Sequence, residues 1–421
     1  MRICRLLLFL LFPSGVFAQD MARVKQNLFT LCSPEFNGRG YVKDGDKKAA
    51  GLIQQQFRQA GLQAFNDNYY QTFSLPVNTV QEVKLKIDNR KLKPGRDFIP
   101  DAGIGPGKGK LRVLPLDTLI FTDEVRGEQF LEKSLTGYAL LMPEKFWAKR
   151  NILPAIFAQR MQSASALLIT QPAKLTYTVA REQHAQPRFE VLQKRVAKTP
   201  KKVKFEAEAK FIPAYQTQNV IGFIPGSVYP DSFIVFSAHY DHLGSIGKKT
   251  YFPGANDNAS GTSLLLELAH YYGKPENRPE YSIAFMAFGA EEAGLVGSKY
   301  YVENPLFPLQ QIKFLLNLDL TGTGEAGLMV VNGRVHEKAF ARLKSISDEK
   351  RYFPEVKARG KAANSDHFPF SEKGVPAFFC YTLGGTAAYH DINDKPETLP
   401  LTKFQELFRL MVDFSRGFRG L

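Results

Sequence analysis

Phe233-Ile234-Val235-Phe236-Ser237-Ala238-His239-Tyr240-Asp241-His242 decides the fold of this chain. Four apolar residues in succession suit a strand buried on both faces, as in a parallel sheet. The polar residues that follow place His239 at the strand's C-terminal end, where open α/β sheets hold their ligands.

Working outward, the same arrangement recurs. The turn-rich stretch 254–261 (GANDNASG) opens onto the helical pattern 262–269 and puts Asp257 just before a helix. The apolar run 283–288 reads as another buried strand and delivers the adjacent acids Glu291 and Glu292, which repel each other unless a cation lies beside them. In 314–320 (FLLNLDL) Asp319 interrupts an apolar block, and a buried acid there needs a partner. A last apolar run, 375–381, leads through Gly384-Gly385 to Tyr389 and His390. Each of these residues alone has an ordinary structural explanation: a helix-start acid, a turn acid or a core histidine, the reading that suits His184, His242, His270 and His336. Five such residues at five element ends point to one site.

Three carboxylates and two neutral imidazoles carry about −3 at neutral pH, against about +4 for two divalent ions, and a bridging hydroxide closes the balance. Nitrogen and carboxylate donors without thiolate suit zinc, and cobalt or manganese fit the same donors.

SAHYDHLG (237–244), GANDNASG (254–261), FGAEEAGLVGS (288–298), NLDLTG (317–322), SDHFPF (365–370) and YHDINDKPETL (389–399) together resemble the secreted two-zinc aminopeptidases of the M28 zinc peptidase family. The stretch 36–63 resembles the family's N-terminal helix, and 219–227 resembles the strand leading into its first ligand. The resemblance implies His239 and Asp319 on one metal, Glu292 and His390 on a second, and Asp257 bridging both. It also implies Glu291 as general base, a role that suits the one carboxylate left free beside a metal pair. Asp241 matches the acid that orients a ligand imidazole, and Asp394 stands four residues after His390 for a similar task. Tyr389 matches a tyrosine that donates to the oxyanion in some relatives, with simple packing as the other reading. Asp366 and His367 fall in a segment that lies near the pocket in relatives.

The chain has 421 residues, 44% of them hydrophobic, enough for a globular protein of two domains. Its start reads as a secretory signal over 1–18: Arg2 and Arg5, an apolar stretch over 6–12 too short to span a bilayer, and a cleavage site after Ala18. A secreted or periplasmic location is therefore expected, with no membrane span in the mature chain. Cys32 and Cys380 are then left either to pair or to stay as buried thiols. The net charge is +14, and much of the excess lies at 194–210, where the absence of interleaved aromatics favours a solvated face over a nucleic-acid surface.

The fold expected is α/β, a mixed and mostly parallel sheet with helices on both faces, ligands at strand C-termini, and an inserted β-rich unit. The catalytic domain would comprise 19–75 and 214–421, and the insertion 76–213. Within the insertion the patterns predict strands over 83–87, 135–142 and 164–170, a helix over 156–161 and a glycine-rich loop over 103–109. This order resembles the protease-associated domain of secreted members of the family, which would overhang the cleft and restrict substrate size. The function expected is hydrolysis of the N-terminal peptide bond of peptides with two Zn2+ per chain. The alternatives are a glutaminyl cyclase-like transferase with one zinc, a carboxypeptidase or dipeptidase of the same family, and a degenerate binding module.

Overall fold

The computed structural model describes residues 19–197 and 199–418, so the expected signal segment and Lys198 lie outside the described residues. A 14-stranded sheet runs through them. The half that carries the candidate metal ligands, here called the metal-binding half, orders, from the edge inward, Val356–Ala358, Gly327–Val331, Ala377–Leu383, Ile312–Leu318, Tyr229–His239, Tyr281–Phe288 and Lys202–Ile224. The four strands Ala377–Leu383, Ile312–Leu318, Tyr229–His239 and Tyr281–Phe288 are parallel, so their C-terminal ends line one edge.

These strands form because their residues are apolar on both faces. Ile234, Phe236 and Ala238 pack with the helices Met21–Leu31, Gly45–Gln59, Gly261–Tyr272 and Phe404–Ser415 on one side. Phe233 and Val235 pack on the other with Tyr301 of Val296–Glu303 and Phe370 of His367–Glu372. The last long helix shows the matching period: Phe404, Leu407, Phe408, Met411 and Phe414 are all buried, each worth roughly 1.5–3 kcal/mol relative to exposure.

Two long antiparallel strands, Tyr70–Ile87 and Lys202–Ile224, carry the sheet out of this half. Their register shifts between Leu75 and Val77, opposite Ile212 and Tyr215, where Pro76 and Pro213 interrupt the ladder. Beyond the shift lie the parallel strands Gly107–Pro115, Tyr138–Pro143, Ala166–Gln171 and Arg188–Leu192. Helix Glu124–Glu132 lies between the first pair, and Glu144–Ala148 and Ala155–Gln162 between the second. Strand outweighs helix in this unit, and three short α-helices stand where the sequence predicts one. In the basic strand, Val203, Phe205 and Ala207 are buried while Lys202, Lys204 and Glu206 face solvent, which makes the charge a solvated sheet face.

Two expectations are corrected. Residues 36–63 are not one helix: short turns at Pro34–Arg39 and Val42–Asp44 precede Gly45–Gln59. The reason is a backbone-to-backbone contact, since a Cβ on Gly40 would lie 2.4 Å from Gly244 Cα, and on Gly38 2.3 Å from Gly244 O. Residues 219–224 end the Lys202–Ile224 strand, antiparallel to Tyr281–Phe288; the strand that leads into His239 is the next segment, Tyr229–His239. Cys32 and Cys380 are free and buried, and burial pushes both thiols up to about 12.

Candidate metal centre

The parallel strand ends deliver the site. His239 is the last residue of its strand, Asp319 follows Leu318 directly, and Glu291 and Glu292 follow the strand ending at Phe288. Asp257 sits in the turn Ala255–Ser260 that opens helix Gly261–Tyr272, and His390 in the loop after Ala377–Leu383. Ala290, Leu320 and His390 adopt φ of 59°, 55° and 55°. Left-handed non-glycine residues of this kind cost on the order of 1–3 kcal/mol and concentrate where the surrounding structure fixes a side chain for function.

Asp257 lies between two groups of donors. Its Oδ1 is 3.4 Å from His239 Nε2, which in turn is 3.5 Å from Asp319 Oδ1. Its Oδ2 is 3.1 Å from His390 Nε2, itself 3.1 Å from Glu292 Oε2. Donors about 2.0–2.2 Å from a tetrahedral ion stand about 3.3 Å from one another, so both groups have the spacing of a metal's ligand shell. Two triads offer donor atoms all within 4.8 Å of one another: His239, Asp257 and Asp319, and His242, Asp257 and Glu292, the second with His242 where His390 was expected.

His242 is thus a correction to the structural reading of that residue. It is fully buried and its Nδ1 is 2.7 Å from Glu292 Oε1. With Oε1 engaged by His242, Glu292 turns Oε2 toward His390, which makes His242 the residue that orients this carboxylate.

Other groups fix the ligands from outside. The Asp241 carboxylate accepts from the main-chain N–H groups of Glu291 at 3.0 Å and Glu292 at 3.2 Å, and lies 3.7 Å from His239 Nδ1. Asp394 does not orient His390 as expected. It accepts from the N–H groups of Asn256 and Asp257, because it is packed under the turn that presents the shared carboxylate. Ser365 donates to Asp319 Oδ2 at 3.0 Å and accepts from Asn317, which accepts from Ser237. Arg39 is wholly buried and donates to the carbonyls of Tyr240, Leu31, Pro253 and Gly254, tying the His239 and Asp257 loops together. Asp366 accepts from Ser298 at 2.5 Å, and neighbouring His367 is buried against Phe379. Tyr389 is 45% exposed at the rim and stacks on His390 with centroids 4.0 Å apart.

The electrostatics show acid in excess. Burial pushes Glu291 well above the usual carboxylate range, helped by Asp366, Glu292 and Asp319 against the opposing imidazole of His239. Burial likewise raises Asp366 to about 7. Burial opposes ionisation of Asp257, yet hydrogen bonds from His239 and His390 hold it well below the usual range. Asp319 Oδ1 is buried and makes no hydrogen bond. Crowded acids and an orphaned carboxylate oxygen are what divalent cations relieve, and the donor set fits them.

The model of peptidase family M28 matches residues 219–415. Aminopeptidase YwaD of Bacillus subtilis (strain 168) is 33% identical over 163 residues, 38% of this chain and 34% of that protein. Leupeptin-inactivating enzyme 1 of Streptomyces exfoliatus is 32% identical over 166 residues, again 38% and 34%. The matched part spans about a third of the length of these curated relatives. Among solved structures, the fold is that of BSAP, a zinc aminopeptidase from Bacillus subtilis (TM-score 0.69, 21% identity, 94% of each chain). It is equally that of a peptidase M28 precursor from Shewanella amazonensis SB2B (TM-score 0.72, 16% identity, 96% of this chain and 95% of that one).

Proposed function

We propose that this chain, whose residues 219–415 match the model of peptidase family M28, is a secreted or periplasmic aminopeptidase of that family that works with two zinc ions. The observation that carries the reading is the Asp257 carboxylate, one oxygen facing His239 and the other His390. A carboxylate set between two donor groups suits two ions better than one, which supports the peptidase over the cyclase-like alternative.

His239, Asp257 and Asp319 would hold one ion and His390, Asp257 and Glu292 the other. Two divalent ions held there supply Lewis acidity for the scissile carbonyl, an anchor for the free α-amine and a water of lowered pKa. Glu291 belongs to neither donor group and is free to take the proton of the attacking water and return it to the leaving amine. Asp241 holds the Glu291-Glu292 backbone, so the base and the ligand move as one piece. The Tyr389 hydroxyl, protonated at neutral pH as a tyrosine ordinarily is, would donate to the oxyanion from the rim.

The test is a panel of aminoacyl-arylamides, dipeptides and N-blocked peptides together with zinc analysis of the purified protein. We expect cleavage only where the α-amine is free, and two zinc ions per chain. Release of C-terminal residues from N-blocked peptides would overturn the choice of terminus, and one ion per chain would overturn the mechanism.

A further inference from the structure

The segment 172–187 joins strands Ala166–Gln171 and Arg188–Leu192 of the inserted unit and is laid across the metal-binding half. Its side chains alternate. Leu175 and Tyr177 are buried, while Lys174, Thr176 and Thr178 are exposed. Tyr177 stacks on Phe252, shortly before the Asp257 turn, with centroids 4.9 Å apart and planes 7° from parallel. Val179 packs against the cluster that includes Ala290 and Ala293, which flank Glu291 and Glu292.

Its hydrogen bonds to the metal-binding half go to the loop that carries His390. Lys174 Nζ donates to Tyr389 O at 3.0 Å and Ala387 O at 3.3 Å, and stands 3.8 Å from Asp391 Oδ2. The Tyr177 N–H donates to His390 O at 2.9 Å. The other main-chain hydrogen bonds of 384–391 stay within the loop or its continuation to Asp394. Gly384 and Gly385 both have positive φ, so the loop leaves its strand through two permissive residues. A histidine on such a loop holds its position only if something outside the loop grips it; the Asp257 turn holds the Asp394 end, and the inserted unit grips the stretch 387–390.

From this we infer that Lys174 is a positioning residue for His390. Its ammonium and the Tyr177 N–H clamp three carbonyls of the ligand loop, and the second metal position is complete only while the strap is docked. The inference rests on the two-metal reading above, and it gives the insertion a task other than overhanging the cleft.

The experiment uses the full chain as wild type, Lys174→Met, Lys174→Arg and, as a control on the same unit, Lys108→Met. Zinc-free protein is examined by hydrogen exchange and then titrated with zinc sulfate against a chromophoric chelator. Lys174→Met is expected to speed amide exchange over 385–391 and to weaken the looser zinc at least about tenfold, leaving the tighter one in place, as loss of a supporting contact does in other metal sites. It should lower kcat more than it raises KM, Lys174→Arg should recover most of both effects, and Lys108→Met should match wild type. Unchanged exchange and zinc affinities in Lys174→Met would overturn the inference. So would a raised KM with both zinc affinities intact, which would make the ammonium a substrate contact. Because the exchange measurement needs no metal, a wild-type chain that binds fewer than two zinc ions would sink the metal reading while the exchange difference still decides the clamp.

Discussion

At the scale of the residue, the proposed mechanism separates groups that would hold metal from the group that would move a proton. Asp257 faces both donor groups, whereas Glu291 is in neither. We predict that Glu291→Gln keeps its zinc while kcat falls by about 10²–10⁴, and that Asp257→Ala loses zinc and activity together. Near-normal turnover in the Glu291 variant would sink the base assignment. A second residue makes a prediction about stability. Asp46 is buried under Tyr215 and Thr217, whose hydroxyls donate to it at 2.7 and 2.8 Å, and burial raises its carboxyl from 3.8 to about 6. A raised folded-state value means the folded chain holds this proton more tightly. The stabilisation is therefore complete below about pH 4 and lost as pH rises through 6, an effect on the order of 3 kcal/mol. In Asp46→Asn that loss is absent, so urea titrations should show the variant gaining on wild type by up to about 3 kcal/mol between pH 4 and 7. A difference between the two that does not change with pH would refute this. The five candidate ligand positions could be singled out because four follow apolar runs and Asp257 precedes a helix, and the structure brings them together. His242 and Arg39 were not. A buried histidine has the same letter whether it meets a carboxylate or a wall, and nothing in the sequence announces an arginine whose partners are main-chain carbonyls.

Among the elements, strands whose two faces are both buried are easy to read, since they need no period to be apolar throughout. The stretch 36–63 misleads because helix-forming letters at 45–59 run back into a turn shaped by contact with Gly244, a residue some 200 positions away. Gly261 shows the same kind of distant constraint in a form that is testable. It starts helix Gly261–Tyr272, its N–H donates to Asn258 Oδ1 at 2.9 Å, and Asn258 donates to Leu318 O at 3.0 Å. A Cβ on Gly261 would lie 2.3 Å from both Asn258 Oδ1 and Leu318 O. Helix propensity alone makes Gly→Ala favourable by up to about 1 kcal/mol. The clash reverses the sign, because the helix start must retreat from the strand end that carries Asp319, and overpacking of this type costs roughly 1–3 kcal/mol. We predict that Gly261→Ala is destabilised in urea by that amount and binds zinc more weakly. A stabilised variant would show that the helix start has room to spare.

Across the whole molecule, the question is whether the inserted unit folds by itself. Pro76 and Pro213 sit where the register of the two long strands shifts, so the change from one half to the other is marked in the sequence, but the pairing continues through it. The cores are also shared: Leu243, Ile246 and Phe252 of the metal-binding half are buried with Val83, Leu85, Phe189 and Phe205 of the insertion. The strands Tyr138–Pro143 and Ala166–Gln171 extend this coupling, with Ala139 and Leu168 in that cluster and Leu140 and Leu167 in the next, against which Trp147 packs. Chains of this length commonly unfold in steps, yet here opening the part of the insertion that carries Val83, Leu85, Phe189 and Phe205 exposes apolar surface of its neighbour. Trp147 is the single tryptophan and lies in the insertion, so its fluorescence reports on that unit while far-ultraviolet circular dichroism reports on the whole chain. We predict that the two signals follow one urea transition with the same midpoint in zinc-loaded protein. A fluorescence change at clearly lower urea would mean that the strap leaves the His390 loop before the metal-binding half unfolds.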